Sequence, residues 1–332
     1  MKKTFFILVL VLTVGSLTLY NASIAAAKAS KGDLVLISKK VKSAPADAGS
    51  SQWNKAKEAK IIAVGAGNVE GNIIPLKTKS VYTKDEIFFL FQWYDYNKSM
   101  DKNEWKFKGG KWNKTKANED RLGVVWEINR VDKFANKGCT VLCHNESKND
   151  KEWYYSTSSS REKADLWHWK AVRSNPVGYT EDGFVIDNPS KEPEAGRKRD
   201  AGSKTTKAKN NRTKDKSGPA YMQDPSKPAT IPGSLLVAQA VEIKGSSTFK
   251  EGDEIPAYML YPVWKDSFAD IKTKGIWKDG QWTVMMSRKL KTGHDDDVQF
   301  NTRKKYPFGI AIFDNSGDHD SYNSEPLKLQ FK

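Results

Sequence analysis

IFFLFQWYDY, Ile87 to Tyr96, is the stretch whose reading decides the fold. It is an apolar, aromatic run of strand length, and such residues suit a pleated, half-buried surface. The same reading extends outward. RLGVVWEINR (Arg121–Arg130) alternates in part, and QWTVMMSRKL (Gln281–Leu290) is strand-like behind the turn signal WKDGQW. YPFGIAIFD (Tyr306–Asp314) and EPLKLQF (Glu325–Phe331) read as two closing strands, whereas SLLVAQAVEI (Ser234–Ile243) suits helix or strand. No internal repeat is evident. Many short strands separated by Gly, Asn and Asp predict an all-β antiparallel sandwich with short helices. Trp167, Trp169, Trp277 and Trp282 are expected in its core.

The first 27 residues stand outside this pattern. Two lysines, an apolar run from Phe5 to Val14 and small residues ending at Ala25 and Ala27 read as a secretory signal peptide, removed on export. The run is short for a membrane span, and no other stretch qualifies. The mature chain, 28–332, is expected as one exported domain in a periplasm or equivalent lumen. Lys191–Gly233 interrupts it with a charged, Pro- and Gly-bearing segment; Lys191–Lys216 alone holds ten basic and four acidic side chains. This basic insertion reads as a solvated loop or as a docking arm for an acidic partner surface. The formal charge of +15 comes from 55 basic and 40 acidic residues. Export argues against nucleic acid as a partner, and no nucleic-acid-binding motif occurs.

Little in the sequence points to catalysis. There is no Gly-rich phosphate loop, nucleophile elbow or H-E-x-x-H helix, and only four histidines occur. HDDD (His294–Asp297) and DHD (Asp318–Asp320) have the chemistry of a hard-cation site, but a polar turn is the simpler reading of the first. GCTVLCHN (Gly138–Asn145) is the distinctive motif. It places Cys139, Cys143 and His144 in the order of a C-x-x-C-H haem-attachment site with one extra residue. Covalent haem, non-covalent haem beside a disulfide, a plain disulfide and a zinc site all remain open on this octapeptide.

Four further motifs carry a resemblance: KADLWHWKAVRSNPVG (Lys163–Gly178), WKDGQWTVMMSRKLKTG (Trp277–Gly293), DDVQF (Asp296–Phe300) and FGIAIFDNSGDHDS (Phe308–Ser321). Together they resemble the haem-binding gamma subunit of the ethylbenzene dehydrogenase and nitrite oxidoreductase type. That is the electron-transfer subunit of molybdoenzymes of the dimethyl sulfoxide reductase superfamily. The resemblance implies an immunoglobulin-like β-sandwich holding one haem, b-type or covalently attached c-type. It implies a non-catalytic protein passing electrons between an iron–sulfur subunit, beside a molybdenum catalytic subunit, and a soluble c-type cytochrome. Nitrite oxidoreductase is the preferred complex.

Members of that family bind iron through a Met before the WHWK-like motif and a Lys after the FDN-like strand. Here the matching positions offer His144 and, as the nearest donor, His319. Met100 is the alternative thioether ligand. Cys139 and Cys143 would attach or border the haem. His168, opposite in strand alternation to Trp167 and Trp169, would face its edge or a propionate, or serve as a structural histidine. Lys328, between Leu327 and Leu329, is expected in solvent. Two other classes stay open: a non-haem carbohydrate-binding sandwich module, compatible with eleven tryptophans, and a structural or assembly subunit stapled by Cys139–Cys143.

Overall fold

Thirteen strands hydrogen-bond into one sheet in the computed structural model, which describes residues 34–147, 149–245, 247–317, 321–323 and 325–332. In chain order they are β1 (Leu34–Lys40), β2 (Ala59–Gly65), β3 (Ile73–Tyr82), β4 (Glu86–Tyr94), β5 (Arg121–Glu127), β6 (Ala164–Lys170) and β7 (Gly183–Val185). There follow β8 (Arg197–Arg199), β9 (Lys272–Lys278), β10 (Gln281–Lys289), β11 (Lys305–Phe313), β12 (Ser321–Asn323) and β13 (Leu327–Phe331). The signal-peptide assignment falls outside the described residues.

The strands run β8-β7-β6-β5-β11-β12-β2-β3-β4-β10-β9, antiparallel throughout this path. β1 and β13 bridge β3 to β11 by a second route, and β1 is parallel to both β3 and β13. The sheet thus folds over on itself. Phe89 of β4 meets Trp126 of β5 at 5.5 Å and Trp167 of β6 at 5.8 Å, centroid to centroid. Trp169 meets Trp93 at 6.1 Å and Trp282 at 4.9 Å. These contacts define a β-sandwich with an aromatic interior, as the strand pattern predicts. Trp93, Trp126, Trp167, Trp169 and Trp282 are all essentially inaccessible, and burying each such ring contributes roughly 1.5–3 kcal/mol or more. Trp277 is only partly buried against this core.

Turn chemistry sets the register. Asp279 (φ 52°) and Gly280 (φ 74°) both adopt left-handed backbone between β9 and β10, as a two-residue Asp-Gly hairpin requires. The pairing that follows faces Trp282 with Trp93 and so fixes which side of β10 is core. Ser234–Ile243, ambiguous in sequence, is neither one helix nor one strand. It divides into Leu235–Leu236, a turn of 3₁₀ helix at Val237–Gln239, and Ala240–Glu242.

The basic insertion is woven into the body. It supplies β8, a helical turn at Ser203–Thr206, Lys209–Asn210 paired with Tyr258–Leu260, and Tyr221–Gln223 paired with Ala240–Glu242. Its order comes from buried polar groups. The Asn211 side chain, fully buried, donates to the Tyr221 and Pro256 carbonyls and accepts from the Ala220 and Tyr221 amides. A buried amide satisfied four times fixes a loop that has few apolar residues.

Candidate functional site

The outer face of β5, β6 and β11 forms the floor of a cleft. Alternation sends Leu122, Val124 and Trp126 inward, and Gly123 and Val125 outward. The same rule brings Leu166 and His168, and Gly309, Ala311 and Phe313, to the outer side. Small residues keep this floor low. A Cβ on Gly309 would lie 2.8 Å from both the backbone nitrogen and the Cβ of Cys139, so only glycine lets the overlying chain pack this closely.

That overlying chain is two short helices, α1 (Phe134–Lys137) and α2 (Thr140–Cys143). Gly138 separates them at φ 62° and donates to the Phe134 carbonyl. The Cys143 amide then donates to the Cys139 carbonyl at 3.0 Å. The two cysteines are therefore one helical turn apart and share a face. The extra residue, relative to a C-x-x-C spacing, makes them an i,i+4 pair in place of an i,i+3 pair. Both line the same cavity, Cys139 buried and Cys143 half-buried.

His144 follows directly and is also buried. Its ring stacks on Trp153 at 4.1 Å and meets the edge of Tyr322 at 4.8 Å. Asn145 and Glu146 both take positive φ, turning the chain sharply, and Glu146 ties the turn down through Lys133 and Lys137. His144 lines a second cleft of about 420 Å³ with Cys143, Trp153, Tyr155, Arg197 and Phe313. Cys143, Tyr155 and Phe313 border both spaces, which are therefore adjacent.

His168 closes the other side. Arg197 NH2 lies 2.6 Å from its Nδ1. Guanidinium is always a donor, so Nδ1 accepts and the proton of the neutral ring sits on Nε2. Burial, and then the charges of Arg197, Lys170, Arg121 and Arg173, hold its pKa well below the usual histidine value. Nε2–H is buried with no hydrogen-bond partner among the described residues. The ring thus carries a buried donor in a side chain that lines the cleft.

A mostly cationic cluster surrounds this histidine. Lys170 and Glu181 pair at 2.5 Å, both buried, and Glu119 binds Arg173 and accepts from the amides of Val172 and Arg173. Burial alone would raise the Glu181 pKa, but Lys170, Arg173, Arg197 and Arg199 outweigh it and hold it far below the carboxylate range. Arg121, over the Phe313 ring at 5.9 Å, adds another positive charge. Five cations against three carboxylates, Glu119, Glu181 and the rim residue Glu194 that pairs with Arg197 at 3.7 Å, leave this end of the cleft net positive.

Cys139, Cys143, His144 and His168 are thus brought together from two regions of the chain. His319 lies outside the described residues, although Gly317 borders the cleft. Met100 packs against the main core and bridges to Glu119, and it does not line the cleft. Sequence reasoning missed Arg197, Tyr155, Trp153 and the two floor glycines. The run Arg197–Arg199 inside the basic insertion was the one visible signal.

The model of a family described as ethylbenzene dehydrogenase matches residues 50–324, which include every cleft residue named above. The chain belongs to the ethylbenzene dehydrogenase family. Membership supports a subunit associated with a molybdoenzyme complex, and among the described residues no helix is long and apolar enough to cross a membrane. No curated protein matches the chain. Similar solved structures include family 9 carbohydrate-binding modules from Caldicellulosiruptor kristjanssonii, in complexes with glucose and with cellotriose. Each is 8% identical with a TM-score of 0.36, covering 90% of this chain and 95% or 93% of the other. A putative carbohydrate-binding protein from Bacteroides uniformis is 8% identical with a TM-score of 0.38, covering 91% of this chain and 100% of the other.

Proposed function

We propose that this chain is the haem-carrying, non-catalytic electron-transfer subunit of an exported molybdoenzyme complex, with nitrite oxidoreductase the preferred one. One observation carries the reading: Cys139, Cys143 and His168 border one cleft, and His144 borders the adjacent one that shares Cys143 with it. The residues fit the group. The donor set is that of a haem site: Cys139, Cys143 and His144 border the two clefts, and the His168 Nε2–H has no acceptor among the described residues. When bound, haem supplies a one-electron redox centre, which no side chain here replaces.

The chain's own residues have distinct tasks in this reading. His144 would offer an imidazole nitrogen to the iron, its ring packed against Trp153 and Tyr322, and His319 would be the second donor. The sulfurs of Cys139 and Cys143, on one helical face, border or attach the macrocycle. His168 donates a hydrogen bond, and Arg197 and Lys151 offset carboxylate charge at the rim. Tyr155 and Phe313 exclude water. The partners are an iron–sulfur subunit beside a molybdenum subunit, and a soluble c-type cytochrome.

Matured protein from its native source provides the test. Acid–acetone extraction separates covalent from dissociable haem. His144→Ala is expected to abolish the low-spin bands of the bound haem, and unchanged bands would remove the ligand assignment.

A further inference from the structure

A second site lies on the other side of β6, away from the cleft floor. Asp165 of β6, Asp182 before β7, Asp200 after β8 and Asp297 in the loop preceding β11 are each at most 2% exposed. Ligand oxygens of Asp165, Asp182 and Asp297 lie within 4.8 Å of one another, and so do those of Asp200, Asp296 and Asp297. Asp297 belongs to both groups.

These acids are poorly compensated. Arg288 is the cation buried among them: its NH1 lies 2.7 Å from Asp165 Oδ2 and 3.5 Å from Asp297 Oδ1. His294 stands at the half-exposed rim, 2.8 Å from Asp270 and 3.5 Å from Asp297. Asp165 Oδ1, Asp182 Oδ2 and both oxygens of Asp200 and Asp297 are buried and accept no hydrogen bond from the described residues. Burying ionised carboxylates in this way is costly unless a cation joins them. Burial, and then mutual repulsion, pushes Asp200 up to about 9; burial, opposed by Arg288 and reinforced by Asp297, pushes Asp165 up to about 7.

The trio Asp95, Asp120 and Asp314 shows the contrast. Asp120 is satisfied there by the Ser99 and Asn315 amides and by the Trp282 indole. No comparable donor among the described residues reaches Asp200.

We propose that Asp165, Asp182, Asp200 and Asp297 hold one calcium-class divalent cation. Calcium takes six to eight oxygen ligands at about 2.3–2.6 Å, so oxygens sharing one ion lie up to about 5 Å apart. Each of the two trios that share Asp297, one with Asp165 and Asp182 and one with Asp200 and Asp296, matches that span. The donors are all carboxylate oxygens with no thiol among them, which selects a hard cation. Bound there, the ion fastens the strand that opens the basic insertion, and the loop bearing Asp297, onto β6. Arg197 stands three residues before Asp200, so the ion also fixes the arginine that orients His168. This inference does not depend on the haem reading.

The test uses the purified full-length protein, chelator-treated and then titrated with calcium. One calcium per chain by elemental analysis, and a melting temperature that rises with calcium and less with magnesium, are expected. Asp182→Asn and Asp200→Asn should each weaken calcium affinity at least about tenfold. Both should raise the melting temperature of the chelated protein at neutral pH, because each removes a carboxylate that must take up a proton to be buried. Wild-type protein without bound calcium, whose melting is indifferent to millimolar calcium, would overturn the proposal. So would Asn variants that lose equal stability with calcium and with chelator, or equal stabilisation by magnesium.

Discussion

Arg197 and His168, on strands separated by β7, meet at 2.6 Å through NH2 and Nδ1. This contact couples the basic insertion to the floor of the cleft. It fixes the imidazole as an Nε2–H tautomer, a donor and not an iron ligand, in the state described.

Nitrogen-resolved NMR of His168 is therefore expected to show one neutral Nε2–H tautomer across about pH 5–8. In Arg197→Met the ring loses its fixed donor, and both tautomers should appear. An Nδ1–H signal in the wild-type protein would contradict the assignment.

Arg288 lies fully buried, over Trp167 at 4.9 Å and Phe300 at 5.2 Å, and its NH1 pairs with Asp165. Arg288→Met keeps apolar bulk against both rings but strands the carboxylates. Denaturant unfolding in chelator is expected to show a loss of about 3–5 kcal/mol. A loss below about 1 kcal/mol would mean that the acids are satisfied without the guanidinium.

The floor glycines should respond differently to one methyl group. On Gly309 it meets Cys139 at 2.8 Å, whereas on Gly123 its nearest neighbour is Ala311 Cβ at 3.8 Å. Gly309→Ala is expected to cost about 1–3 kcal/mol and to speed alkylation of Cys139 in protein lacking a bound group. Gly123→Ala should leave both nearly unchanged. Equal behaviour of the two variants would argue that α1 and α2 do not press on β11.

Asp95 and Asp120 predict a pH dependence. Burial, then repulsion by Asp120 and Asp314, raises Asp95 from 3.8 to about 7; Asp120 rises from 3.8 to about 6, mainly through burial. The unfolded chain gives up these protons near 3.8, and the folded chain retains them longer. Stability from this pair is therefore full below about pH 4, falls as pH rises and is lost by about pH 7. Asp95→Asn should be nearly neutral at about pH 4 and stabilising by at least about 1 kcal/mol at about pH 8. A pH-independent effect of the substitution would refute the sign.

Much of the sandwich was legible because its strands carry their own signals. Ile87–Tyr96, Gln281–Leu290 and Tyr306–Asp314 correspond to β4, β10 and β11 with ends shifted by two residues or fewer. The cysteine–histidine motif pointed to one wall of the cleft, and the alternation around His168 pointed to its floor. What stayed hidden depends on polar burial. Asn211 orders the insertion through four hydrogen bonds, which a hydrophobic pattern cannot register. HDDD reads as a polar turn, yet Asp297 is buried against Asp165 and Asp182, over a hundred residues away in the chain. Such clusters form only when distant strands meet.

The most direct measurement is the visible absorption spectrum of the fully matured protein purified from its native source. A Soret peak with low-spin bands after reduction, and one haem per chain by pyridine haemochrome, is the predicted result. A colourless, correctly folded protein with intact Cys139, Cys143 and His144 would contradict it.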